Sequence, residues 1–367
     1  MPVGYLIGVV IAAVPMLLSL RPPARSGGLG RLSWIVTCVP NEWPLIAVYW
    51  VAADTGLLVA QGDLGSAGSW VAVAIGLISP FAAIVLVLRS LRARPVVAAA
   101  LEMPPPRAHL GRILWAPLPF THPGVKRISN VAYGDGGRLN TLDVYRRRAG
   151  VAEGAPILIH LHGGGFTGGR KSNEGRPLLQ RFARHGWLCI SANYRLRPAA
   201  TFPDFLIDAK RVIAWARAHA GEYGADPGRV FIAGSSAGAH IAASAALTPG
   251  DPGLQPGFED ADTSVCGCIG LYGYYGPVST RPAGLRSSPA EHVHAGAPPF
   301  LIAHGTQDTL VPPARTAALA GRLREVSHQP VVWIELPGAQ HSFDLLRSVR
   351  FETVIDGIEV FAARVLG

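Results

Sequence analysis

Lysine is nearly missing from this chain, and charge of either sign is scarce. Only 16% of the 367 residues are charged, and Lys126, Lys171 and Lys210 are the only lysines. The net charge of +9 is therefore almost all arginine. A nucleic-acid surface needs clustered basic residues with interleaved aromatics. No such run occurs in the globular part of the chain, so nucleic acid is not expected as a partner. Cysteine is sparse as well, and four in a chain this long do not make a disulfide framework. Cys266 and Cys268 alternate along one expected strand without two further soft ligands nearby, so no metal site is expected there. The thiols read as buried core groups.

The shortage of charge is local. From Met1 to Leu88 there are three Arg, two Asp and one Glu, whereas the remainder has the composition of an ordinary globular chain. Residues 3–20 and 69–88 are uncharged and apolar, close to the roughly 20 residues needed to cross a bilayer as a helix. A third apolar stretch between residues 34 and 60 is interrupted by Pro40, Asn41, Glu42 and Asp54. It could span over 34–53 or 43–60; the second frees Glu42 to the headgroups and sets Asp54 against a neighbouring helix. A cleaved leader would have a basic start and a small-residue cleavage site. Nothing basic precedes Tyr5, and the first stretch ends Leu-Ser-Leu-Arg. Three spans at about 3–20, 43–60 and 69–88 are expected, making residues 1–94 a membrane-spanning region. Arg21, Arg25 and Arg31 then fall on the same side as Arg89, Arg92 and Arg94. The positive-inside rule places that side, and everything after it, in the cytoplasm of a cell-membrane protein.

Residues 95–126 read as a proline-rich connector. Its centre holds Ile113, Leu114, Trp115 and Phe120 beside Arg112, which suits either a headgroup interface or a strap over the following domain. From 127 to 367, short β-rich runs alternate with helical patterns, the signature of a mainly parallel sheet with helices on both faces. Strands are expected at 141–145, 156–161, 187–194, 230–233, 266–271, 300–303 and 331–336. Helices are expected at 176–185, 205–222, 237–247 and 352–365.

Gly234-Ser235-Ser236-Ala237-Gly238 follows one such strand and opens a helix. A turn that sharp tolerates only small flanking residues and pushes the central hydroxyl out at the end of the sheet. The helix beginning at Ala237 points its free N–H groups at the serine. Upstream, His162-Gly163-Gly164-Gly165 ends another strand, and its glycines let backbone N–H groups approach a substrate oxygen. No Gly-Lys-Ser/Thr follows, so a phosphate loop and a nucleotide cofactor are not expected. A nucleophilic serine needs a base, and the base an orienting acid. Asp308 and His341 each follow a strand, at the same edge of the sheet as Ser236. Asp344 is a rival acid; His160, His240 and His304 are weaker candidates for the base.

With these motifs in this order, the chain from about Ile128 onward resembles the hormone-sensitive-lipase-like esterases and the related feruloyl-esterase-like and formamidase-like hydrolases. Ser235 and Ala239 stand where most hormone-sensitive-lipase-like members have Asp and Gly, nearer the feruloyl-esterase-like branch. The membrane region lies outside the resemblance, although some actinobacterial esterases of this type are similar there. The resemblance implies an α/β-hydrolase fold with Ser236 as nucleophile, His341 as general base and Asp308 as its partner. It also implies an oxyanion hole from the N–H groups of Gly164, Gly165 and Ala237. The expected activity is hydrolysis of an ester, lipidic or short-chain, through an acyl-enzyme; a deacetylase or amide hydrolase is the alternative. Residues 275–297 are a candidate cap.

Overall fold

The computed structural model describes residues 3–23, 27–111, 118 and 120–367. Arg25, Arg112, Ile113, Leu114 and Trp115 therefore lie outside the described residues. Among the described residues eight strands form one sheet: β1 (Val125–Ala132), β2 (Thr141–Arg147), β3 (Ala155–Leu161), β4 (Leu188–Ala192), β5 (Ala225–Ser235), β6 (Gly267–Leu271), β7 (Phe300–Gly305) and β8 (Val331–Leu336). Their spatial order is β1-β2-β4-β3-β5-β6-β7-β8. The β1–β2 and β2–β4 pairs are antiparallel and all the others parallel. The central strands are apolar on both faces because helices cover both, as a parallel sheet requires.

The N-terminal region is helical: α1 (Val3–Leu20), α2 (Gly27–Glu42), α3 (Leu45–Ala60), α4 (Ala67–Gly76), α5 (Ile78–Leu91) and α6 (Ala93–Ala100). The hydrolase-like part adds α7 (Arg176–Arg184), α8 (Asp204–Ala218), α9 (Ala237–Leu247), α10 (Ala314–Val326) and α11 (Val349–Leu366). The structure matches the expected bounds of α9 and β8. It adds β1 and α10, and it starts α11 earlier, at a Ser348 cap whose Oγ accepts from the Phe351 N–H.

Helix α1 and the 34-residue run 67–100 are each long and apolar enough to cross a membrane. The stretch around 34–60 behaves differently. Trp43 and Pro44 separate α2 from α3, which meet at 82°, and α3 by itself has 16 residues. Helix α1 packs on α3 through Gly8, where a Cβ would lie 2.1 Å from the Asp54 carboxylate. Tyr5 and Thr55 share a hydrogen bond of 2.8 Å across the same pair.

Two details depart from the sequence reading. Glu42, expected at the headgroups, is buried and paired with Arg350 of α11 at 2.9 Å. The connector expected from residue 95 begins later, because residues 93–100 are still helical. Val97 and Leu101 there pack against Gly357 of α11, where a side chain would collide with them. Both contacts fasten the apolar helices to the last helix of the α/β part.

Candidate active site

The turn after β5 is fixed by sterics. A Cβ on Gly234 would lie 2.2 Å from the Gly238 carbonyl oxygen, and one on Gly238 would lie 2.1 Å from that of Leu161. Glycine is the only residue that fits either place. Between them Ser236 is held at φ 54° and ψ −115°, a conformation that non-glycine residues rarely adopt and that the surrounding packing imposes. Its hydroxyl stands at the N-terminus of α9.

His341, on the loop after β8, brings Nε2 to 2.9 Å from Ser236 Oγ. Its Nδ1 lies 2.6 Å from Asp308 Oδ2. With the carboxylate accepting from Nδ1–H, Nε2 is left unprotonated and able to accept the serine proton. Asp308 is deeply buried, which alone would raise its pKa. The positive charge that His341 carries once protonated, with hydrogen bonds from His304 and His341, outweighs that and holds it well below the usual carboxylate range. The N–H groups of Leu310 and Val311 donate to its other oxygen at 2.9 and 2.8 Å. His304, a weaker candidate for the base on sequence grounds, faces the acid, with Nε2 3.1 Å from Asp308.

Asp344 points elsewhere. Its carboxylate accepts from Ser235 Oγ at 2.6 Å, from the Gly175 N–H at 3.1 Å and from the Tyr272 hydroxyl. His160 joins this cluster through Ser235, and burial pushes its pKa down to about 3, so it is neutral. His240 is likewise buried and neutral, pushed down to about 4, with Nδ1 on the Tyr274 carbonyl.

Gly164 and Gly165 adopt φ values of 120° and 62°. They line a cavity of about 430 Å³ together with Ser236, Ala237 and His341. Among the described residues none of the N–H groups of Gly164, Gly165 and Ala237 donates to a backbone carbonyl. Phe166, Tyr274, Leu310 and Val311 supply much of the remaining wall.

Sequence reasoning missed two contributions. The first is α2, whose Trp34 and Arg31 line the cavity. Trp34 meets His341 edge-on, with ring centroids 6.4 Å apart. None of residues 275–297, the candidate cap, is among the residues lining this cavity, whereas this helix supplies two. A small and polar stripe at helical spacing (Gly30, Ser33, Thr37, Asn41) was the available signal for docking.

The second is Glu174, a cavity-lining carboxyl that accepts from the Gly163 N–H. Burial and the nearby Asp344 charge raise its pKa to about 8, against the pull of that N–H. The folded state therefore keeps a proton that the unfolded chain releases near 4.5. The associated stability is complete below that value and is lost as pH rises through about 8. Glu174→Gln is expected to flatten this part of the profile, so its thermal midpoint should fall less than wild type between pH 5 and 9. An unchanged slope would show that Glu174 is ionised throughout.

Comparison with known proteins follows the same lines. The BD-FAE family matches residues 142–277, and the prolyl oligopeptidase family matches residues 268–365. The chain is 36% identical to the probable carboxylic ester hydrolase LipM of Mycobacterium tuberculosis, over 99% of this chain and 93% of that one. It is 39% identical to the esterase LipQ of the same organism, over 65% of this chain and 62% of that one. Among solved structures it resembles Thermogutta terrifontis esterase 2 phosphorylated by paraoxon. That match has a TM-score of 0.58 and 25% identity, over 66% of this chain and 95% of that one.

Proposed function

Because the chain belongs to the serine carboxylic ester hydrolases of the α/β-hydrolase fold, we propose that Ser236, His341 and Asp308 are its catalytic triad, working through an acyl-enzyme. The observation that carries this is the unbroken relay of 2.9 and 2.6 Å from Ser236 through His341 to Asp308. His341 Nε2 takes the Ser236 proton as Oγ attacks the ester carbonyl carbon. The negative charge on the carbonyl oxygen is met by the N–H groups of Gly164, Gly165 and Ala237, at the positive end of α9. Collapse breaks the ester C–O bond, and His341 returns its proton to the departing alcohol. Water, deprotonated by the same histidine, then releases the acid and restores Ser236. Asp308 holds the imidazole and offsets its positive charge without itself being protonated.

The same reading puts the chain in a cell membrane, with α1, α3 and the 67–100 run crossing and the α/β part in the cytoplasm. The exposed apolar side chains of α1 and α5, among them Ile7, Ile11, Phe81 and Leu88, support this. Arg21, Arg31 and Arg92 support the orientation. A reporter that fluoresces only in the cytoplasm should be bright when fused after Gly367, and one active only outside should work when inserted after Asp63. A dark C-terminal fusion would reverse the orientation.

The substrate class is tested by a hydrolysis screen of acyl esters of graded length against aryl acetates and formyl amides. Esters are expected to turn over and formyl amides not. Preferential cleavage of formyl amides would replace esterase by amide hydrolase.

A further inference from the structure

Helix α2 has three sides, and each meets something different. Its inner side is bonded to the two loops that carry Asp308 and His341. Thr309 Oγ1 donates to the Gly30 carbonyl at 3.0 Å, and Gln340 Nε2 donates to Thr37 Oγ1 at 3.1 Å. Gln340 Oε1 in turn accepts from the N–H groups of Thr309 and His341, at 2.8 and 2.9 Å. Asn41 Nδ2 donates to the Gly338 carbonyl at 3.0 Å. One edge of the helix brings Trp34 and Arg31 to the cavity that holds Ser236.

Among the described residues nothing covers the outer side. Leu29, Leu32 and Ile35 are 72%, 57% and 56% exposed, one helical turn apart. Large aliphatic side chains aligned this way on a helix mark a surface that rests against something apolar. The angle says what that is. Helix α2 meets α3 at 82°, so if α3 crosses a bilayer, α2 lies nearly in its plane. Exposed Arg21 precedes the helix and exposed Arg31 falls between Leu29 and Leu32 in sequence, as suits the headgroups of anionic lipid.

From these contacts we infer that α2 is an interfacial helix forming the lipid-side wall of the cavity, along which an amphiphilic acyl ester reaches Ser236 directly from the bilayer. The inference rests on the proposed nucleophile and crossing helices and adds the substrate's phase. The ester is taken from lipid, its acyl part passing Trp34, Leu310 and Val311.

The test uses the full chain in vesicles of phosphatidylcholine and phosphatidylglycerol. Leu29→Gln, Leu32→Gln and Ile35→Gln are combined in one variant, with Leu32→Gln alone as a milder form should the triple fail to fold. The substrates are 4-methylumbelliferyl oleate dissolved in the vesicles and 4-nitrophenyl acetate in the water. The triple variant is expected to lose about tenfold or more in rate on the oleate, with the acetate kcat/KM within about twofold of wild type. The single variant should move the same way by less. Equal losses on both substrates, no loss on either, or a change of oligomeric state with the oleate rate intact would each overturn the inference. Oleate hydrolysis surviving in Ser236→Ala would instead strike the nucleophile assignment, so the two failures are distinguishable.

Discussion

Ser236→Ala is expected to remove ester hydrolysis while leaving the fold intact. The variant deletes one oxygen from a small, buried side chain, and alanine fits where serine did. What remains is the oxyanion hole and the cavity, which typically sustain only about 10³–10⁴ over the uncatalysed rate when a triad member is missing. Turnover should therefore fall by several orders of magnitude, with circular dichroism and thermal midpoint close to wild type. A variant that kept more than a few per cent of wild-type turnover would show that Ser236 is not the nucleophile.

The second large effect is expected at the acid. Asp308→Asn places an amide where Oδ2 now accepts from His341 Nδ1–H, with His304 Nε2 3.1 Å away. The imidazole then favours the tautomer with Nε2 protonated, which cannot accept the serine proton. The loss in kcat from this defect is on the order of 10⁴. Asp344→Asn supplies the contrast. Its carboxylate serves Ser235, Tyr272 and Gly175 behind the elbow and receives nothing from His341. That change should lower the thermal midpoint and leave most of the turnover. Were Asp344→Asn the more damaging to kcat, the orienting acid would be Asp344.

Much of this site was legible in the sequence because its constraints are local. Gly234 and Gly238 leave no room for a side chain, so the pentapeptide carries its own geometry. Asp308 and His341 could be found because both follow recognisable apolar strands. Asp344 could not be dismissed from sequence, since only the folded loop turns its carboxylate toward Ser235. The early part of β5 was hidden by Asp226, Pro227 and Gly228, which read as a turn. Strand β1 was hidden by Lys126, Arg127 and Asn130, which are tolerated because it is an edge strand with a largely exposed face. Helix α2 was the costliest omission. Hydropathy merged it with α3, while its small and polar stripe pairs with residues some 280–310 positions away, a match visible only after folding.

The central claim is that Ser236 attacks the ester as a nucleophile activated by His341. A fluorophosphonate probe reports this directly, because it forms a stable bond only with an activated serine. After labelling of the full chain and proteolysis, mass spectrometry should find one adduct, on the peptide containing Ser236, and His341→Ala should abolish it. Absence of labelling, or an adduct on any other residue, would contradict the account.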